Sequence, residues 1–223
     1  MAKLIKCHFY YLFNKTNVTI IFLLILFVFI FSITNAFSLD ESISYNQRSL
    51  EYYNNSFQLI KVIMSFDAIF IFGYSFLAFN DSYRIIVINN EIKREKYFIS
   101  KTITLIITII IMYLIQVSII LLISVLFRIY FDMMMIISFI DLLVYVTFYS
   151  FITLFVINVI NSIYIIFLVY ILTLLSYQEE YILLKYLLPL FKDNILVLNR
   201  FYYILLIIIV YILCMFLWNN KDL

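Results

Sequence analysis

Long apolar runs separated by short polar stretches organise this chain of 223 residues. At least four runs reach the roughly 18 apolar residues that indicate a bilayer-spanning helix rather than a buried core helix. The pattern predicts six membrane-spanning helices, at about 18–37, 59–79, 102–127, 134–157, 159–177 and 201–218. Only Asn158, Asn161 and Ser162 interrupt the apolar sequence between the fourth run and the fifth. This break fits a tight turn between two antiparallel helices, or a kink in one element.

Residues 2–14 precede the first span and have a different pattern. At about 100° per residue, Lys3 and Lys6 fall on one face, and apolar side chains such as Phe9 spread over the other. The pattern predicts a helix lying in the membrane interface, with both lysines toward anionic lipid headgroups. A frayed basic N-terminus is the alternative.

The amino-acid composition indicates a membrane protein rather than a soluble helical protein. Hydrophobic residues make up 66% of the chain and charged residues 13%, whereas soluble domains are roughly 45–50% apolar and about 25% charged. Gly73 is the single glycine, so no GxxxG face can form, and helix contacts should use Ser, Thr, Asn and aromatic side chains. We therefore expect one domain, 1–223, of the all-α membrane class, with six transmembrane helices preceded by an N-terminal amphipathic interfacial helix.

The distribution of Lys and Arg predicts the orientation of the spans. With six spans and both ends inside, nine basic residues lie on the inner side: Lys3, Lys6, Lys15, Arg84, Lys93, Arg94, Lys96, Lys101 and Lys221. Six lie on the outer side: Arg48, Lys61, Arg128, Lys185, Lys192 and Arg200. Because cytoplasmic loops carry the excess of basic residues, both termini are predicted to be cytoplasmic, in the cell membrane of a bacterium.

Two longer segments are expected on the outer side. Residues 38–58 are polar and rich in Tyr, Asn and Ser. Residues 178–200 are partly apolar but too charged to span, and they contain the single proline, Pro189. We expect short helices on the outer surface there, broken before the proline.

Few side chains could catalyse a reaction. His8 is the single histidine and lies in the predicted interfacial helix, where an interfacial role is expected. No Ser/His/Asp set and no HExxH motif can be assembled, and Cys7 and Cys214 belong to no metal-binding pattern. A chain with one glycine has no glycine-rich phosphate loop. We expect no enzyme activity, metal or cofactor in this chain, and no basic block indicates a nucleic-acid partner.

Two acidic residues lie inside predicted spans, Asp67 in the second and Asp141 in the fourth. A carboxylate at the bilayer centre costs about 2.5–3.5 kcal/mol or more, so such residues tend to face protein or water. Asp67 could lie on a substrate pathway, or it could be protonated or paired with a polar side chain of a neighbouring helix. For Asp141 the second interpretation is favoured. Gln116 is predicted to make a hydrogen bond between helices.

Charge is concentrated in residues 80–101, between the second and third spans. The stretch NNEIKREKYFISK, 89–101, mixes both signs among apolar residues: Glu91, Lys93, Arg94, Glu95, Lys96 and Lys101. Orientation needs only basic residues, whereas mixed charge with apolar anchors suits docking onto another protein. The alternative is a solvated loop whose lysines set the orientation.

A basic N-terminal helix, six spans and a charged segment between the second and third resemble a small ABC-2-type permease. In that family the segment runs from an acidic residue and Gly-Thr, through an apolar stretch, to an arginine and a lysine that enters the third span. Arg94, Lys96 and Lys101 fit the second half of this pattern. The first half departs from it, because Ser82 and Tyr83 replace Gly-Thr.

The resemblance implies a permease subunit without its own ATPase site, which dimerises with itself or with a paralogue. Separate ABC ATPase subunits, which hold ATP and Mg²⁺, would dock on the cytoplasmic coupling loop, 80–101, at Glu91, Lys93, Arg94, Glu95 and Lys96. The segment 178–200 would act as an extracellular gate. The complex would export an amphipathic peptide or a lipid-like substrate, as permeases for bacteriocin immunity or peptide export do.

Two other classes of function stay open. One is a non-transporting membrane assembly or immunity protein, and the other is an ion-coupled carrier or channel that uses Asp67. A neighbouring gene for a P-loop ATPase would favour the permease. Loss of pH dependence on neutralising Asp67 would favour the carrier.

Overall fold

The computed structural model describes residues 1–13, 15–39, 44–77, 93–129, 133–176 and 197–220. These residues form seven α-helices and, among them, no strand. The helices are α1 Ala2–Leu12, α2 Lys15–Ser38, α3 Tyr45–Phe76, α4 Arg94–Leu126, α5 Met133–Val159, α6 Ile163–Ser176 and α7 Val197–Asn220. The all-α prediction is confirmed.

Five of these helices, α2, α3, α4, α5 and α7, are long and apolar enough to cross a membrane by length and composition. They indicate a multi-pass membrane protein. At the position of the fifth predicted span, α6 is a shorter apolar helix of 14 residues. At 1.5 Å per residue its described part extends about 21 Å, less than the roughly 30 Å of hydrocarbon. Among the described residues, five of the six predicted spans are thus matched by helices of sufficient length.

Aromatic contacts define how α3, α5 and α6 run relative to one another. The ring pairs are Phe57–Phe139 and Phe72–Phe151 between α3 and α5, and Phe70–Phe167 and Phe66–Tyr170 between α3 and α6. Residue numbers rise together in the first two pairs and in opposite directions in the last two. Hence α5 is parallel to α3 and α6 is antiparallel to both. The polar break at 160–162 is therefore a turn between antiparallel helices, one of the two predicted alternatives.

The least apolar of the long helices lies at the centre of the bundle. The apolar stretch of α3 has a mean hydropathy of 1.7 and is 67% buried, whereas those of α2 and α7 are only 22% and 17% buried. Lipid is an apolar solvent, so polar side chains in spanning helices face the protein interior. The polar side chains of α3 therefore favour its position in the core. It lies there with α5, whose apolar stretch is 61% buried.

α3 begins at Tyr45, inside the stretch that was expected to be a polar outer segment. Residues 45–58 are helical and fold onto α2, and their place on the outer side stays a prediction. The Asn35 side chain of α2 donates to the Tyr52 carbonyl at 3.0 Å and to the Ser56 hydroxyl at 3.3 Å. The 32 residues of α3 extend about 48 Å, so the helix continues beyond the hydrocarbon.

α4 also begins earlier than its predicted span, at Arg94. The charged residues from Arg94 to Lys101 are therefore helical and continuous with the third apolar run, so the loop predicted for 80–101 ends at Lys93. Residues 80–92 of that loop, with Glu91, lie outside the described residues. So do residues 178–196 of the predicted gate segment, while its last residues open α7.

Hydroxyl groups bond both between helices, as Ser56 with Asn35 and Ser100 with His8, and within them. Many donate to the carbonyl four residues earlier in their own helix: Ser32, Ser65, Thr102, Thr104, Thr108, Ser150, Thr153 and Thr173. This local bond uses the hydroxyl hydrogen, and the oxygen can still accept a hydrogen bond. The expected role of aromatic rings is confirmed by the pairs that join α3 to α5 and α6.

The single glycine lies where three helices approach closely. A Cβ atom on Gly73 of α3 would lie 2.7 Å from Ile166 Cγ1 of α6 and 3.0 Å from Ile157 Cδ1 of α5. Contacts this short require a neighbour to move. The side chains of Ile166 and Ile157 therefore pack directly on the backbone of α3 at Gly73, without a GxxxG motif.

Candidate functional site

The predicted interfacial helix is attached to the bundle by its histidine. His8 is 8% exposed, and its Nε2 lies 3.2 Å from the Ser100 hydroxyl of α4. Its ring also meets the Tyr97 ring edge-on, with centroids 5.0 Å apart. Lys3 and Lys6 are exposed. The role of His8 in joining α1 to α4 was not predicted from the sequence, where a lone histidine gives no partner.

Four of the five predicted docking residues lie at the start of α4. Lys93, Glu95 and Lys96 are exposed. Arg94 is half-buried, and its Nη1 donates to the Asn219 carbonyl at the end of α7, at 3.3 Å. The Asn219 amide in turn donates to Glu95 at 3.4 Å. A cation near the C-terminus of α7 is also favourable to the helix dipole.

An aromatic cluster lies directly beneath this charged surface, where α3, α4 and α7 meet. The Lys101 ammonium, on a side chain only 4% exposed, lies 4.7 Å from the centroid of the Phe76 ring and 5.3 Å from that of Tyr97. Trp218 stacks on Tyr97 with centroids 6.2 Å apart and packs edge-on against Phe76 at 5.7 Å. This position over two aromatic rings allows a cation–π contact of the ammonium group. Lys101 therefore belongs to the packed interior and not to the exposed charges.

A cleft of about 360 Å³ opens at the same end of the bundle. Its walls come from the end of α1 and from α2, α3, α4 and α6: Leu12, Phe13, Asn17, Ile20, Ile21, Leu24, Phe66, Asp67, Phe70, Ile71, Tyr74, Ser75, Thr108, Ile163 and Ile166. Ile20 and Tyr74 are 47% and 44% exposed, so the cleft reaches the surface between α2 and α3. Asp67 lies nine residues before the end of α3, about 14 Å along the helix axis.

Asp67 joins α3 to α4 at the wall of this cleft. The Gln116 amide donates to Asp67 Oδ2 at 3.0 Å, and Asp67 is 4% exposed. The predicted interhelical hydrogen bond of Gln116 is confirmed. Asp67 is paired with a neighbouring helix and also lines a cleft, so features of both sequence interpretations occur together.

The second intramembrane acid has different surroundings. Asp141 of α5 is 5% exposed and is not among the residues that line the cleft. Two residues earlier, the Phe139 carbonyl accepts a hydrogen bond from the Tyr113 hydroxyl of α4. In the part of the chain that is described, no three His, Cys, Asp or Glu side chains lie close enough together to hold a metal ion.

Comparison with known proteins assigns no family to this chain. No protein-family model matches it, and neither a curated protein nor a solved structure matches it significantly. Its function has to be inferred from the residues and contacts described above.

Proposed function

We propose that this chain is the membrane-spanning subunit of an ABC transporter that exports a hydrophobic or amphipathic substrate, most simply a peptide. Separate ATPase subunits, which bind ATP and Mg²⁺, dock at the charged start of α4. One observation carries the proposal: the exposed charges of Lys93, Glu95 and Lys96 stand on a helix that continues without a break to Leu126. Mixed charge on a surface suits specific docking, and a helix of membrane length can transmit the resulting displacement.

Contacts at the start of α4 support a mechanical role for this surface. Arg94 binds the end of α7 through the Asn219 carbonyl, and His8 ties α1 to Ser100. A displacement of the α4 start would therefore move α1 and α7 with it. In such a machine the charged residues transmit force, and the hydrolysis of ATP takes place entirely on the partner.

The position of the cleft supports entry of substrate from the side where the ATPases dock. Leu12 and Phe13, at the end of α1, line it, and His8 of the same helix contacts the start of α4. Positive-inside topology makes this side cytoplasmic in a bacterial cell membrane. Export is the direction that follows.

The proposal includes a dimer, with a second copy or with a paralogue. α2 and α7 are the least buried of the long helices, at 22% and 17%. Their apolar side chains provide surface for membrane lipid and for a partner permease. Association within lipid depends on side-chain packing, and the exposed aromatic residues on these helices, Phe22 and Phe216 among them, offer such surface.

Purification of the chain from its native host tests the proposal. We expect a nucleotide-hydrolysing subunit to co-elute, and we expect the double charge reversal Lys93→Glu with Lys96→Glu to abolish its association. Arg128→Glu is the matched control, because Arg128 is exposed at the opposite end of α4. Absence of such a companion, or association that survives the double reversal, would refute docking at this surface.

An ion-coupled carrier is the second candidate, and the buried carboxyl of Asp67 at the cleft wall favours it. A carrier of this kind needs no ATPase. Transport measured in proteoliposomes separates the two candidates: Asp67→Asn would remove the pH dependence of a proton-coupled carrier, whereas an ATP-driven exporter requires the partner subunit whatever stands at this position.

A further inference from the structure

Among the described residues that line the cleft, Asp67 carries the one carboxyl group, and none of them is Lys, Arg or His. One hydrogen bond, from Gln116, reaches the carboxyl from α4. A carboxylate buried in apolar surroundings is costly unless a donor or an opposite charge faces it. The described lining therefore offers a carboxyl group to a positive charge and supplies no cation of its own.

Aromatic rings line the same cleft as this carboxyl. Phe66 and Phe70 both line the cleft, and their centroids are 4.2 Å apart. Tyr170 of α6 packs edge-on against Phe66 at 5.4 Å and against Phe70 at 6.2 Å, which holds the two rings in place. Aromatic faces attract organic cations, by about 2 kcal/mol or more when the site is desolvated.

We propose that the cleft binds a lipophilic organic cation, an ammonium or phosphonium group that carries apolar substituents. Its positive charge lies against Asp67, and its apolar groups pack on Phe66, Phe70 and the isoleucines of the wall. The volume of about 360 Å³ lies in the range of roughly 300–1,000 Å³ that small-molecule sites occupy, and the open mouth accepts a bulky substituent. The inference names the substrate class of the proposed exporter and rests on that function for the step from binding to transport.

Binding of tetraphenylphosphonium tests the inference. The full chain is placed in phosphatidylcholine nanodiscs, and binding of the radiolabelled cation is measured against empty discs. We expect saturable binding that Asp67→Asn weakens at least about tenfold, because the isosteric amide keeps the bond to Gln116 and loses the charge. Tetraphenylborate, which has the same shape and the opposite charge, is measured in separate samples and is expected not to bind saturably.

Two further variants keep the result specific. Asp141→Asn is the matched control, since it neutralises a buried acid outside the cleft, and we expect unchanged affinity. Phe66→Leu keeps the position apolar and removes the aromatic face, so we expect a several-fold loss of affinity for the cation. The inference is overturned if Asp67→Asn and the parent chain bind tetraphenylphosphonium with equal affinity. It is also overturned if tetraphenylborate binds the parent chain as well as tetraphenylphosphonium does.

The outcomes separate this inference from the proposed function. If the chain associates with an ATPase but shows no Asp67-dependent binding of the cation, the cation site is refuted and the exporter proposal stands. Asp67-dependent binding in a chain with no ATPase partner refutes the exporter and leaves the cation site intact.

Discussion

His8 Nε2 of α1 and the Ser100 hydroxyl of α4 form a hydrogen bond 3.2 Å long. The Ser100 hydroxyl also lies 2.9 Å from the Tyr97 carbonyl, one turn earlier in α4. This contact joins the N-terminal helix to the start of a membrane-length helix.

Replacement of His8 by Leu should release α1 from the bundle. The change keeps an apolar side chain of similar reach and removes a hydrogen bond worth about 0.5–1.5 kcal/mol. We expect backbone amides of α1 to exchange with deuterium several-fold faster, with the exchange of α3 unchanged. Tyr10→Leu is the control, because Tyr10 is 73% exposed on the same helix. Equal protection in the parent chain and in His8→Leu would show that this contact does not hold α1.

Replacement of Gln116 by Leu should destabilise the protein, because Asp67 then keeps a buried carboxyl without its donor. The expected loss is about 1–3 kcal/mol of unfolding free energy, measured by thermal unfolding in detergent. Adding Asp67→Leu should restore part of this loss, since both partners of the bond are then apolar. Ser118→Leu, at an exposed position of α4, is the control. Purely additive effects of the two substitutions would argue against coupling between these residues.

Gly73→Ala should lower the melting temperature, because the added Cβ meets Ile166 Cγ1 at 2.7 Å. Overpacking of this kind costs about 1–3 kcal/mol. Ile166→Val in the same chain should recover part of the loss, since valine lacks the Cδ1 atom that lies 2.8 Å from the added Cβ. Val62→Ala, at an exposed site of α3, controls for change on that helix. A Gly73→Ala protein as stable as the parent would disprove the close approach.

Arg94→Ala should loosen the end of α7, which its guanidinium holds through the Asn219 carbonyl. Trp218 is the single tryptophan and is 2% exposed, so its fluorescence reports on this region. We expect acrylamide to quench that fluorescence weakly in the parent chain and more strongly in Arg94→Ala. Lys96→Ala removes an exposed charge from the same turn and should leave quenching unchanged. Similar quenching in all three proteins would contradict the prediction.

Five of the six spans could be predicted with their approximate positions, because membrane thickness imposes a length on apolar runs. The starts of α3 and α4 could not. Residues 45–58 and 94–101 are polar, and hydropathy reports the preferred solvent of a segment but not whether it is helical. Tyr52 is buried, and the Asn35 amide reaches its carbonyl and the Ser56 hydroxyl; these contacts depend on α2 lying alongside.

Some residues of the candidate sites could also be predicted from the sequence, and others could not. The charges at Lys93–Lys96 and the intramembrane Asp67 stand out in the sequence, because charge is rare in this chain. The roles of His8, Lys101 and Trp218 could not be predicted, since each depends on contacts with residues distant in sequence. A lysine next to a predicted span is interpreted as a cytoplasmic charge. Only the tertiary structure shows that Lys101 lies among aromatic rings.

The sequence by itself determined that this is an all-α, multi-pass membrane chain with its charge concentrated before α4, because the cost of placing polar groups in hydrocarbon acts on each segment separately. Tertiary structure decided which helix is central, that Asp67 meets Gln116 at a cleft, and that α1, α4 and α7 meet at one end. Those features depend on distances between residues far apart in the chain, which local hydropathy does not contain.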